Sequence, residues 1–161
     1  MSKLPSLGPR GEGWVAIQGV LFAVIAITGF ALTATWSEPW ASAAETSGWL
    51  LVALGATLAG AGLVGLRDGD ALTAVPHPRD EARLVEAGAY RLVRHPIYGG
   101  LVLAAVGWAL IRASIPALLA AALLFLFFDL KRRREEVWLA ERFPGYSDYR
   151  KRTRALIPFL L

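Results

Sequence analysis

Cysteine is absent from the sequence, and histidine occurs only as His77 and His95. Without thiols the chain forms no disulfide, has no thiolate metal ligand and no cysteine nucleophile. Two histidines are too few for a histidine-rich centre, so no metal is expected. Charge is scarce in an organised way: none lies between Trp14 and Trp36, and none between Gly48 and Leu66. Each block matches the ~20 mostly apolar residues that a helix needs to cross about 30 Å of hydrocarbon.

Hydrophobic residues make up 55% of the 161, above the roughly 45–50% of soluble domains. A third apolar stretch, Ile97 to Phe128, is interrupted by Arg112 and Ser114. The break at Arg112-Ala113-Ser114-Ile115-Pro116 leaves halves of about 15 residues, which reach only ~23 Å as helices. They are expected to form a tight hairpin, its second helix continuing through Lys131-Arg132-Arg133-Arg134-Glu135-Glu136 toward the Pro144-Gly145 turn. The fold expected is an all-α integral membrane protein, multi-pass, with four transmembrane helices at about 14–36, 48–66, 97–111 and 115–130 and a cytosolic C-terminal helical cap. Ala41-Ser42-Ala43 imitates a signal-peptide cleavage site. The preceding apolar stretch is too long for a signal core of ~7–15 residues, so a retained span is preferred.

Orientation follows from the basic residues. Lys3 and Arg10 precede the first span, Arg67, Arg79, Arg83, Arg91 and Arg94 separate the second and third, and nine more Lys or Arg lie between Lys131 and Arg154. Both termini are therefore expected in the cytosol. The net charge of +4 fits attraction to an anionic inner leaflet, about 1 kcal/mol per juxtamembrane cation, and no nucleic-acid module is present. Gly55, Ala56, Ala59, Gly60, Gly62 and Gly65 give the second span a small-residue surface that admits another helix closely. The long connection from Arg67 to Pro96 carries apolar points at Leu84, Val85, Tyr90, Leu92 and Val93, which imply that it folds against something.

Polar chemistry concentrates at Arg94-His95-Pro96-Ile97-Tyr98-Gly99-Gly100. Proline suits the first turn of a helix, which puts His95 at its cap and the run at a helix N-terminus that attracts a carboxylate or phosphate. Taken alone, the run fits equally well an interfacial helix start with a snorkelling Arg94 and a capping His95. The second cluster follows Asp129, where Lys131 with Glu135 and Arg132 with Glu136 have pairing distance along a helix. A basic run there fixes topology; the acidic pair beyond it points to a cationic ligand group.

The ordered set Leu84-Val85, Gly88, Tyr90, Arg94-His95-Pro96, Tyr98, Gly100, Glu135-Glu136, Leu139, Phe143, Tyr146, Tyr149 and Ile157-Pro158 resembles the isoprenylcysteine carboxyl methyltransferases and the membrane phospholipid methyltransferases. The resemblance runs from about Pro76 onward. It implies a single membrane methyltransferase domain, with its cofactor-binding half at about 76–161, that uses S-adenosylmethionine on a lipophilic or prenylated acceptor. Carried over by position, the cofactor contacts are Ala82, Arg83, Leu84, Val85, Tyr90, His95, Pro96, Ile97, Tyr98 and Glu135, with Tyr90 or Tyr98 facing the sulfonium. The family's acceptor-side arginine stands here as Lys131, beside Arg132. Candidates for acceptor positioning are Arg94, Lys131, Arg132 and Glu136. Membrane lipid is the implied partner, and the cofactor site is expected on the cytosolic side.

Two rival readings remain. Reductases resembling the steroid 5α-reductases also carry an Arg-His-Pro-x-Tyr-x-Gly run and use NADPH, but they commonly follow it with an acidic residue, where this chain has Leu101. The other rival is a non-enzymatic four-helix membrane protein whose motifs are only caps and anchors.

Overall fold

The computed structural model describes residues 4–73, 75–78, 80 and 82–157. Lys3, Arg79 and Pro158, which the topology and motif expectations used, lie outside these. The described residues form five α-helices and no named strand: α1 (Glu12–Ala31), α2 (Trp40–Asp68), α3 (Pro96–Ile111), α4 (Ile115–Arg142) and α5 (Tyr146–Arg152), with a 3₁₀ turn at Gly88–Arg91.

α1 and α2 are long and apolar enough to cross a membrane, and α3 is a shorter apolar helix. On α1 and α2 many large apolar side chains face outward, among them Val20, Ile27, Phe30, Leu50, Leu54 and Val64. On α4, Ile115, Leu119, Leu123, Leu126 and Leu130 form an exposed stripe, while Ala117, Ala120, Ala121, Leu124 and Phe128 are buried. A water-soluble bundle has the opposite arrangement. In lipid, association rests on close packing because the surroundings are as apolar as the side chains.

Close packing is most evident between α2 and α3. Gly48, Gly55 and Gly62 recur every seven residues on the buried face of α2 and meet Gly107, Gly100 and the Pro96–Ile97 turn of α3. A Cβ added at Gly100 would lie 2.5 Å from the Gly55 carbonyl oxygen, and one at Gly107 would lie 2.5 Å from that of Gly48. The helices therefore touch backbone to backbone. The small-residue surface expected on span two is used within the chain.

Two boundaries differ from expectation. The first span ends at Ala31, not near residue 36, because the following segment packs on the hairpin turn: Ala34 N–H donates to Ala113 O at 3.0 Å and Trp36 Nε1 donates to Leu110 O at 2.8 Å. α2 starts at Trp40, eight residues before the expected 48, directly after Pro39. The hairpin forms as expected. Ser114 caps α4, its Oγ accepting from Ala117 N–H and donating to Thr28 O at 3.0 Å; Arg112 Nε donates to Gly29 O at 2.9 Å. α4 runs unbroken through the basic cluster to Arg142.

Candidate functional site

Pro96 occupies the first turn of α3 and His95 its N-cap, but the His95 side chain makes no capping hydrogen bond. Its ring turns toward α4 and lies between two carboxylates: Nδ1 is 3.7 Å from Glu135 Oε2 and Nε2 is 3.3 Å from Glu136 Oε1. Leu92, Arg94 and His95 are fixed from behind by the C-terminal segment. Arg94 N–H donates to Arg154 O, His95 N–H to Ala155 O, and Arg154 N–H to Leu92 O. Gly99 faces the Leu156 carbonyl at a separation no side chain would permit. The two glycines of the motif therefore admit α2 and this segment.

Adjacent residues on a helix point about 100° apart, so Glu135 and Glu136 face different ways. Glu136 is buried among cations: Arg94 Nε donates to Oε1 at 2.9 Å, Arg132 lies 3.7 Å and Arg150 3.4 Å away. Burial would raise its pKa, but the hydrogen bonds and charges of His95 and Arg94 outweigh that and lower it to about 2. Arg94 also donates to the carbonyls of Arg150 and Thr153. Arg94 and Glu136 together form an internal clamp.

In front of this clamp is a cavity of about 270 Å³, near the lower end of small-molecule sites. Eleven of the fourteen sequence-predicted site residues line it: Ala82, Arg83, Leu84, Val85, Tyr90, Arg94, His95, Ile97, Tyr98, Lys131 and Glu135. Pro96, Arg132 and Glu136 do not. Pro96 packs toward Gly62, Arg132 pairs with Asp129, and Glu136 faces the clamp. The expected Lys131–Glu135 pair does not form; Lys131 Nζ donates instead to Gln18 Oε1 at 2.6 Å.

Tyr98 Oη donates to Glu135 Oε2 at 2.8 Å. Its ring stacks on His95 and Phe128, with centroids 5.4 and 4.5 Å apart, and Lys131 Nζ lies 5.1 Å from its centroid. Tyr90 is buried against Gly65, and burial raises its pKa. Tyr149 Oη donates to the Tyr90 carbonyl at 2.8 Å. Tyr146 is 2% exposed, lines the cavity, and its hydroxyl has no partner among the described residues. Tyr146 and Gln18 were not singled out as site residues from the sequence; the available signal for Gln18 was a lone amide within an uncharged span.

The profile of the family described as phospholipid methyltransferase matches residues 43–145, more than half of the chain. The chain belongs to the phospholipid methyltransferase family. Among its relatives, the nickel-cobalt-cadmium resistance protein NccN of Alcaligenes xylosoxydans xylosoxydans is 29% identical over 147 residues, 91% of this chain and 65% of that protein. The cobalt-zinc-cadmium resistance protein CzcN of Cupriavidus metallidurans is 35% identical over 83 residues, 51% of this chain and 38% of its own. A protein of Oryza sativa subsp. indica named "Probable protein-S-isoprenylcysteine O-methyltransferase" is 31% identical over 86 residues, 52% of this chain and 45% of its own. The chain thus spans less than two thirds of the length of each. The phospholipid methyltransferase match covers nearly all of α2, the whole of α3 and α4, and Glu135, and it excludes α1, which supplies Val15 and Gln18 to the cavity.

Proposed function

We propose that this chain transfers a methyl group from S-adenosylmethionine to a lipophilic acceptor at the cytosolic face of a membrane. The observation that carries the reading is the convergence on one cavity of Glu135, Tyr90 and the first turn of α3, residues separated in sequence but joined by the hairpin. The donor set fits the cofactor. The first-turn amides of α3 suit a carboxylate, Glu135 suits an ammonium, Tyr90 offers an aromatic face to a sulfonium at about 0.5–2 kcal/mol, and the Tyr146 hydroxyl, without a partner among the described residues, has hydrogen-bonding capacity to spare. When bound, the cofactor supplies the methyl group: the acceptor's nucleophile bonds to the methyl carbon as the sulfur–carbon bond breaks, and sulfur keeps the electron pair.

The chain's own part is alignment, which supplies roughly 7–11 kcal/mol of a bimolecular barrier. The Glu136 clamp holds Arg94 and His95, and the Tyr98 hydroxyl orients Glu135. In this reading α1 to α4 all cross the bilayer as one domain, residues 76–161 form its cofactor half, and the polar extension of α4 with α5 caps the cytosolic face. The exposed apolar stripe on α4, which ends at Leu130 just before the cationic run, supports that placement.

Thermal unfolding of the detergent-purified protein with S-adenosylhomocysteine or NADPH tests the proposal, together with labelled-cofactor transfer to a lipid extract. Stabilisation by S-adenosylhomocysteine and label in an extracted lipid are expected. Stabilisation by NADPH alone would replace this reading with a reductase, and stabilisation by neither would favour a non-enzymatic protein.

A further inference from the structure

Arg112 is the single charged residue between Ile97 and Phe128, and a charge within an apolar span is costly unless a partner offsets it. It stands at the C-cap of α3, about 24 Å along the helix from Pro96 and so at the end of the molecule opposite the cavity. Its guanidinium lies over two rings, 5.7 Å from the Phe30 centroid and 5.6 Å from that of Trp108. Nε donates to Gly29 O at 2.9 Å. Among the described residues the two terminal nitrogens have no hydrogen-bond partner, and Glu38 and Glu45, the acidic residues at that end, make no ion pair with them. The same two rings bound an apolar groove of about 360 Å³ between α1 and α3. Phe22, Ala26 and Phe30 line it from α1, and Leu101, Ala105 and Trp108 from α3. The groove exists because α1 leans on α4, with Trp14 against Phe127 and Phe22 against Phe128. From Phe22 to Phe30 it runs about 12 Å.

We propose that this groove and the Arg112 guanidinium form one binding site for a phospholipid of the leaflet opposite the cavity. One acyl chain lies in the groove, and the phosphate accepts from the terminal nitrogens of Arg112. Charge complementarity and shape point to the same occupant: a hydrocarbon chain alone would leave the guanidinium unpaired, a free anion would leave the groove empty, and a phospholipid fills both. The bond from Nε to Gly29 O and the two rings hold the guanidinium in place, so its planar fork is set for a phosphate before the lipid arrives. Basic pockets between membrane helices take lipid headgroups in this way. Bound there, the lipid ties α1 to α3 and steadies the helix that carries Val15 and Gln18 to the cavity. The inference rests on the four-span reading and not on the methyl-transfer chemistry.

The test is native mass spectrometry of the delipidated full chain, titrated in detergent with phosphatidylglycerol or with diacylglycerol of the same acyl chains. The wild type is expected to hold phosphatidylglycerol about tenfold or more tightly, as for a charge-assisted contact. Arg112→Gln should remove most of that preference and leave diacylglycerol binding unchanged. Ala26 is exposed, so Ala26→Leu occupies the groove without touching Arg112 or the packed core; it should weaken both lipids alike, about fourfold or more. Equal binding of the two lipids by the wild type would overturn the inference. So would a preference that survives in Arg112→Gln, which would place the lipid on the cations at the cavity end, or wild-type affinity in Ala26→Leu. The chain has no cysteine of its own, so labelling of Ser37→Cys by a membrane-impermeant maleimide, added outside cells that express it, reports on the four-span reading separately.

Discussion

The Tyr98 hydroxyl donates to Glu135 at 2.8 Å across 37 residues of sequence, tying the first turn of α3 to the polar extension of α4. The ring and hydroxyl have separable roles. The ring is stacked on His95 and Phe128, while the hydroxyl orients a carboxylate that faces the cavity.

Replacing Tyr98 with phenylalanine keeps the stack and releases Glu135. A hydrogen bond to a charged group contributes about 1.5–3 kcal/mol, so affinity for S-adenosylhomocysteine is expected to fall roughly tenfold or more while the unfolding temperature moves little. Titration calorimetry with a parallel thermal scan checks both. Unchanged affinity would remove Glu135 from the cofactor site.

Glu136 makes stability depend on pH in a defined direction. Its folded value of about 2 lies below the ordinary 4.5, so its ionised form stabilises the fold fully above pH 4.5. That contribution, on the order of 3 kcal/mol, is lost as pH falls toward 2. Glu136→Gln should unfold more easily than wild type near neutral pH, and the two should converge in acid. A gap that stays constant down to pH 2 would contradict the clamp.

At the α2–α3 seam, Gly100→Ala forces a methyl against Gly55 O at 2.5 Å and Ala59 N at 2.7 Å. Backbone cannot yield as a side-chain tip can, and overpacking costs about 1–3 kcal/mol. Gly60→Ala, on α2 with nothing within 4 Å of the new carbon, should cost nothing. Equal thermal stability of the two variants would mean that the seam is looser than described.

Much of the cavity wall could be read from the sequence because its residue types are distinctive: Pro96 announces a helix start, and Tyr90, His95 and Glu135 have few purely structural uses in such an order. Other features left no trace. Apolar composition does not say where a span turns, so the end of α1 at Ala31 depended on Trp36 reaching Leu110 O, a contact between distant segments. Adjacent carboxylates look alike in sequence, and only the helical phase of α4 separates the cavity-facing Glu135 from the clamped Glu136. Gln18 was invisible as a site residue because its partner lies 113 positions away.

The pairing of residues 92–95 with residues 154–155 also orders events in time. Thr153, whose carbonyl accepts from Arg94, follows it by 59 residues, so at ~5–20 residues per second the ribosome makes the motif several seconds before its backbone partners. α3 and α4 are complete by then. The backbone support of the Arg94-His95 turn consequently arrives only after the hairpin in front of it has been made.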